Sequence, residues 1–164
     1  MEQNKQYLEQ AYEEHSDAIF RYCLFKISDR EKALDLVQET FARVWQYLVN
    51  GNEIDNVKTF LYTTARNLII DEYRKKKTYS LDTLMDQGLE PQMDIEEALY
   101  TSLDMTRIME QVQELPENYS SIIVMRYVND LSVKEIASIV GESENVVSVR
   151  IHRALSKLRT LVVQ

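Results

Sequence analysis

The apolar positions of the first 77 residues recur at three, four and seven, and they predict three helices. Leu8, Tyr12, Ile19, Tyr22, Cys23 and Ile27 mark a helix from about Asn4 to Ile27, punctuated by Ser28 and Asp29. Leu34, Val37, Phe41, Val44, Trp45 and Leu48 form the stripe of a second helix, Asp29 to Leu48, capped by Asp29 or Ser28 and ended by Asn50-Gly51-Asn52. A loop, EIDNV, leads into a third, Lys58 to about Lys77, with Phe60, Leu61, Ala65, Leu68, Ile69 and Tyr73 apolar. From Thr78 to about Tyr100 the pattern weakens, which reads as a linker with a helical turn or two near Asp94 to Leu99. A second cluster follows: Leu103 to Leu115, stopped by Pro116, then Ser120 to Tyr127, with Asn118 to Ser121 as its cap cluster.

The last stretch, SVKEIASIVGESENVVSVRIHRALSKLR, carries the clearest local signals. Ser132 and Glu135 make a capping box, Ile136 and Val140 give a short helix its apolar face, and Gly141 stops it. Ser143 is a fresh N-cap for a second helix with Val147, Ile151, Leu155, Leu158 and Val162 on one stripe. Two short helices around a glycine turn make either a helix-turn-helix or an ordinary helical hairpin with a solvated basic face. The opposite face carries Asn145, Ser148, His152 and Arg153, and from Val146 onward Arg150, Arg153, Lys157 and Arg159 occur without an acid.

Composition reinforces the helical reading. Three glycines and two prolines are few for 164 residues, so the expected fold class is all-α: two small helical domains, an N-terminal bundle and a C-terminal helix-turn-helix domain, joined by an acidic linker. The domain bounds read as 1–77, 78–100 and 101–164. The single cysteine excludes an internal disulfide and a thiolate zinc site, and Cys23 reads as a small buried hydrophobe. The opening, MEQNKQYLEQAYEEHSDAIF, has no long apolar run, so neither signal peptide nor membrane insertion is expected and a cytoplasmic protein follows. His15 and His152 lie in different domains without a catalytic or phosphate-loop motif around them; neither an enzyme nor a cofactor is expected.

The formal net charge of -8 is unevenly spread. Residues 1–65 carry -4, 66–77 carry +3, 78–114 carry -8, 115–145 carry -3 and 146–164 carry +4. An acidic chain binds DNA where its positive charge is concentrated, because the relevant field is local within about 10 Å. Here two basic blocks flank an acidic one.

Three stretches, in their joint order, resemble the sigma factors of bacterial RNA polymerase, specifically the small two-domain extracytoplasmic-function group of the sigma-70 family. The first is Asp35-Leu-Val-Gln-Glu-Thr-Phe-Ala-Arg-Val-Trp45, an amphipathic segment with Leu34, Val37, Phe41 and Trp45 inward and Asp35, Gln38, Glu39, Ala42 and Gln46 outward. The resemblance implies that Asp35, Gln38, Glu39 and Arg43 touch core polymerase, at the clamp coiled coil of its largest subunit, with the flap a further contact.

The second is Lys58 to Lys77, where aromatics interleave with polar groups ahead of a basic run, a composition suited to single-stranded DNA. It is similar to the part of the family's second region that melts and captures the promoter's -10 element. The resemblance assigns Asp55, Asn56, Lys58 and Thr59 to the edge of a base pocket, while Tyr62 reads equally as a DNA-binding aromatic or as core packing. It puts Asn67 and Asp71 on the reading face and Arg66, Arg74, Lys75 and Lys76 against the backbone. Phe60 stands where the family usually has tryptophan, and its packing in the core is the favoured reading.

The third is the closing stretch with Glu114-Leu-Pro-Glu-Asn-Tyr119 and Arg126-Tyr127 ahead of it, which looks like the fourth region, the reader of the -35 element as duplex. Asn145, Ser148, Val149, Arg150, His152, Arg153 and Lys157 are the implied contacts. Where many members have Gly-Thr-Val-Lys-Ser-Arg, this chain has Asn145-Val-Val-Ser-Val-Arg150: a basic residue at 148 is lost and Val149 adds a methyl-rich surface. Docking is therefore implied while the family's base preference is not carried over. The implied partners are core polymerase, promoter DNA and an anti-sigma factor. The rival expectation is a stand-alone helix-turn-helix regulator, which would have no use for a second basic, aromatic-bearing stretch at 58–77.

Overall fold

The computed structural model describes the backbone of residues 1–83 and 103–163 and the side chains of 1–75 and 107–161. Among them there are only helices and their connections, and the chain divides into two compact units, Met1–Gln92 and Met93–Gln164.

In the N-terminal unit, α1 spans Glu2–Ile27 and α2 Arg30–Val49. The two-residue turn between them works because Ser28 adopts a left-handed conformation (φ 56°) and donates its N–H to the Leu24 carbonyl at 2.7 Å. The Asp29 carboxylate then accepts from the Lys32 N–H at 3.2 Å and caps α2. Asn50 and Gly51 end α2, Gly51 at φ +88°, a conformation that glycine takes without a side-chain penalty. Asn56 accepts from the Thr59 N–H at 3.2 Å at the start of α3, Val57–Thr83. This helix runs six residues past the expected Lys77, so the first quarter of the expected linker continues α3; residues 84–100 lie outside the described residues.

The three helices close around Ile19, Tyr22, Cys23, Val44, Leu61, Tyr62 and Ala65, each essentially inaccessible to solvent. Burying an aliphatic or aromatic side chain stabilises by about 1.5–3 kcal/mol, so this seam dominates the unit's energetics. Tyr22 and Tyr62 meet edge to face with centroids 5.5 Å apart, and Tyr12 packs on Phe41 in the same manner at 4.9 Å. Two polar links tie α3 to the other helices: Lys32 to Glu72 at 2.8 Å, and the Tyr73 hydroxyl donating to the Lys26 carbonyl. One expected core position is wrong. Leu34 is 47% exposed, because Ala33, Leu36 and Val37 set the inward phase of α2 and Leu34 falls outside it.

In the C-terminal unit, α4 spans Leu103–Glu114, and α5 starts at Glu117 directly after Pro116, three residues earlier than expected. Asn118 to Ser121 are thus inside the helix rather than its cap. The proline's fixed φ launches the first turn without a side-chain cap. After Ile123 the helix widens into a π-helical turn, Val124–Val128, where Asn129 N–H reaches the Val124 carbonyl at 2.9 Å. Then come α6, Val133–Val140, and α7, Glu144–Val163. The capping box is complete, with Glu135 N–H to Ser132 Oγ and Ser132 N–H to Glu135 Oε1 both at 3.0 Å. Gly141 ends α6 at φ +73°, and Ser143 Oγ accepts from Val146 N–H at 3.1 Å. Val112, Ile122, Val124, Met125, Leu131, Ile136, Val147 and Ala154 form the unit's core, with Leu155 and Leu158 at its margin. Gln111 Nε2 to the Leu161 carbonyl, 3.1 Å, pins α4 to α7.

Two predictions follow from the N-terminal core. Tyr62→Ala leaves a ring-sized hole and lowers the unit's stability by about 3–5 kcal/mol, read as faster hydrogen exchange at the amides of α1–α3; a Tyr62 that served only as a surface contact would leave exchange unchanged. Burial in apolar surroundings pushes the Cys23 thiol from its ordinary 9.0 up to about 12. In the folded chain Cys23 therefore stays a thiol and reacts with a disulfide reagent at pH 8 far more slowly than in urea. Between pH 9 and 12 the unfolded chain releases a proton the folded one keeps, so this group's contribution to stability falls as pH rises.

Candidate functional site

The outward faces of the helices are what the buried seam leaves over. On α2 the inward residues Ala33, Leu36, Val37, Thr40, Phe41, Val44 and Leu48 turn Asp35, Gln38, Glu39, Ala42, Arg43 and Gln46 to solvent. All four residues expected to touch polymerase share this face, and Arg43 Nε lies 3.2 Å from Glu39 Oε1 within it. Both partners of that pair are more than half exposed, so it organises the surface while adding little to stability. Leu34 extends the face with an apolar group that the sequence pattern had put in the core. Trp45 is half-buried at its margin.

On α3 the inward positions Leu61, Tyr62, Ala65, Leu68 and Ile69 leave Asn67, Asp71, Arg74 and Lys75 exposed and Lys58, Thr59 and Arg66 half-buried. Thr63 and Ile70 join the same outward stripe by helical spacing; the sequence reading passed over them. Asp55 and Asn56 are exposed on the loop, Asn56 also serving as the helix cap. Tyr62 is the correction: at 1% exposure, edge-on to Tyr22, it belongs to the core and presents no surface to a base. Its place among the aromatics suggested a stacking ring, but α3 turns Leu61 and Tyr62 inward together. The Lys76 side chain lies outside the described residues.

A ring that no sequence spacing singled out stands beside this stripe. Tyr47, from the last turn of α2, meets half-buried Phe60 with centroids 4.8 Å apart. Both the backbone N–H and the side-chain amide of Asn52 donate to the Tyr47 carbonyl, at 3.3 and 3.2 Å, and draw the loop against the end of α2.

On α7, Val147, Ile151 and Ala154 are buried and Asn145, Val149, His152 and Arg153 are exposed, with Ser148 half-buried on one flank. Two of the expected contacts have intramolecular partners. Arg150 Nη2 sits 3.0 and 2.9 Å from the two carboxylate oxygens of Glu142 in the turn. The Lys157 ammonium lies 5.1 Å from the centre of the Tyr119 ring. Sequence spacing foresaw neither link, because each joins residues from different elements.

Among the described residues no helix is long and apolar enough to cross a membrane, and no group of three or more His, Cys, Asp or Glu is placed to hold a metal ion.

Known proteins give this arrangement a family. The model for sigma-70 region 2 matches residues 11–79 and that for sigma-70 region 4 matches 105–158. The chain is similar to the ECF RNA polymerase sigma factor SigL of Mycobacterium tuberculosis, 32% identical over 149 residues covering 90% of this chain and 84% of SigL. It is also similar to the ECF sigma factor SigW of Bacillus subtilis, 31% identical over 156 residues covering 88% and 83%. Among solved structures it shares its fold with the sigma factor RpoE in complex with the anti-sigma factor NepR from Bartonella quintana, at TM-score 0.75 and 23% identity over 99% of this chain and 98% of that one. A second fold match is CnrH in complex with the cytosolic domain of CnrY, at TM-score 0.72 and 22% identity over 96% and 88%. With both regions present in order and relatives matched along most of their length, the chain belongs to the extracytoplasmic-function group of the sigma-70 family, the sigma factors that direct RNA polymerase to promoters.

Proposed function

We propose that the chain is a dissociable initiation subunit whose surfaces divide the work by unit. The observation that carries this is the occurrence, in one chain, of two separately folded units each with its own outward polar or basic face. The exposed face of α2, with Asp35, Gln38, Glu39 and Arg43, would dock on the clamp coiled coil of the polymerase's largest subunit, and the C-terminal unit would meet the flap. The α3 stripe and its preceding loop, with Asp55, Asn56, Lys58, Thr59, Asn67 and Asp71, would take the -10 element as a single strand, while Arg66, Arg74, Lys75 and Lys76 follow its phosphates. On α7, Asn145, Ser148, Val149, His152 and Arg153 would face base edges of the -35 duplex, with Arg150 and Lys157 on its backbone. Arg150 would then exchange the Glu142 carboxylate for a phosphate oxygen, a like-for-like replacement of one anion by another.

Neither face has to bind tightly alone. Polymerase would hold both units at promoter spacing, so the second DNA contact becomes effectively intramolecular. The chain would catalyse nothing itself and would work in the cytoplasm beside polymerase. RpoE is seen with the anti-sigma factor NepR and CnrH with the cytosolic domain of CnrY, and an anti-sigma factor is the corresponding partner we infer here. A stand-alone helix-turn-helix regulator would use only the C-terminal unit and leaves the region 2 match without a role.

Core polymerase captured by the tagged wild-type chain, and not by the Gln38→Ala, Glu39→Ala double variant, is the expected result. Both side chains are exposed, so the variant keeps its helical circular dichroism. Run-off transcription on a genomic fragment library then yields new start sites with the wild type only. A folded wild type that ignores core polymerase but binds duplex DNA tightly and in a salt-sensitive manner would overturn the reading.

A further inference from the structure

The exposed face of α7 carries an apolar feature that folding does not explain. Val146 and Val149 are each 41% exposed, whereas Val147 and Ile151 between and beyond them are buried. Three residues along a helix is 300°, so the two valines sit side by side on the surface. Both lie in the first two turns of α7, the end of a helix-turn-helix that meets base edges. Valine forms helix less readily than alanine, lysine or arginine, and these two lie outside the buried core, so helix propensity and core packing do not account for their place on a solvent face.

The surroundings say what would cover them. Asn145, His152 and Arg153 are exposed on the same face, and no acid occurs from Val146 to the end of the sequence. A polyanion is therefore the partner the charge favours. The Arg150 guanidinium is drawn to the turn by Glu142, at 2.9 and 3.0 Å, the Ser143 hydroxyl caps the helix, and Ser148 lies half-buried on the flank. The middle of the reading face at this level is thus aliphatic. In the major groove every base edge presents hydrogen-bonding groups, and the one apolar group is the C5-methyl of thymine. A valine can neither donate to guanine nor accept from cytosine, and it gains only by covering that methyl.

We propose that Val149, flanked by Val146, reads the 5-methyl group of a thymine in the -35 duplex, so that this chain selects thymine at that position. The proposal rests on the reading of α7 as the -35 reader.

The test uses the full chain bound to core polymerase and a duplex carrying the -35 segment of the strongest promoter from the library run-off. Each thymine is replaced singly by deoxyuridine, which deletes one methyl and keeps every hydrogen-bonding group. At one thymine the wild type is expected to lose about four-fold in affinity, the effect of leaving one methyl-sized group uncovered. Val149→Ala, which favours helix more than the native residue, should lose about as much on the thymine duplex and become indifferent to uracil at that position. Wild-type indifference to every single replacement overturns the proposal, as does a uracil penalty that persists unchanged in Val149→Ala. A holoenzyme that starts at specific promoters yet ignores the methyl overturns the thymine contact alone. Failure to capture core polymerase or to initiate overturns the underlying reading with it.

Discussion

Helix phase is the constraint on which every surface of this molecule depends. In the N-terminal unit Val44 from α2 and Leu61, Tyr62 and Ala65 from α3 must all point at Ile19, Tyr22 and Cys23 of α1. With 100° between successive residues, fixing a few inward positions leaves no freedom about which residues face out. The row Asp35, Gln38, Glu39, Arg43 and the row Asn67, Asp71, Arg74 are therefore consequences of the same packing. A slip of α2 that turned Lys32, Asp35, Glu39 and Arg43 inward, or of α3 that turned Arg66 inward, would bury charge at a cost that a domain of marginal stability does not tolerate.

The C-terminal unit solves a different problem, holding one helix at a fixed angle with few residues. The capping box at Ser132 and Glu135, the left-handed Gly141 and the Ser143 cap satisfy the helix ends on both sides of the turn with local groups. That frees the outer face of α7 from structural duties except at its edges. There, Glu142 holds Arg150 and the Tyr119 ring receives Lys157, so two cations are kept in place on the flanks while Asn145, Val149, His152 and Arg153 stay uncommitted to the fold.

Much of this was legible in the sequence because it is local. The α1–α2 turn, the end of α2 at Asn50-Gly51 and the whole helix-turn-helix follow from caps and 3.6-residue periodicity. What escaped was set by tertiary packing or by competing local signals. Leu34 has the chemistry of a core residue, but its neighbours Ala33 and Leu36 set the phase of α2. Tyr62 looks like a stacking ring in an aromatic-polar run, and only the approach of Tyr22 shows that it is core. The cluster Asn118 to Ser121 offers cap chemistry, yet Pro116 starts the helix first. The acidic, proline-bearing composition after Lys77 suggested a linker, although Thr78 to Thr83 carry the helical pattern on. The assignment of individual residues to DNA or polymerase came from resemblance, and no periodicity would have supplied it.

The uneven charge finds its physical sense in this arrangement. A chain of net charge -8 is repelled by DNA at a distance, so its free encounters with duplex are weak. The same chain presents, within each unit, short basic segments whose local field acts only at contact range. Part of that positive charge is further held in check by a neighbouring group, as Glu142 does for Arg150. Such a molecule gains DNA affinity mainly when a third body supplies proximity, and loses it when that body leaves. On the proposed reading, reversible dependence on polymerase would follow from where the charges sit, and the exposed Val146 and Val149 would add discrimination without adding to the non-specific electrostatic attraction that would undo it.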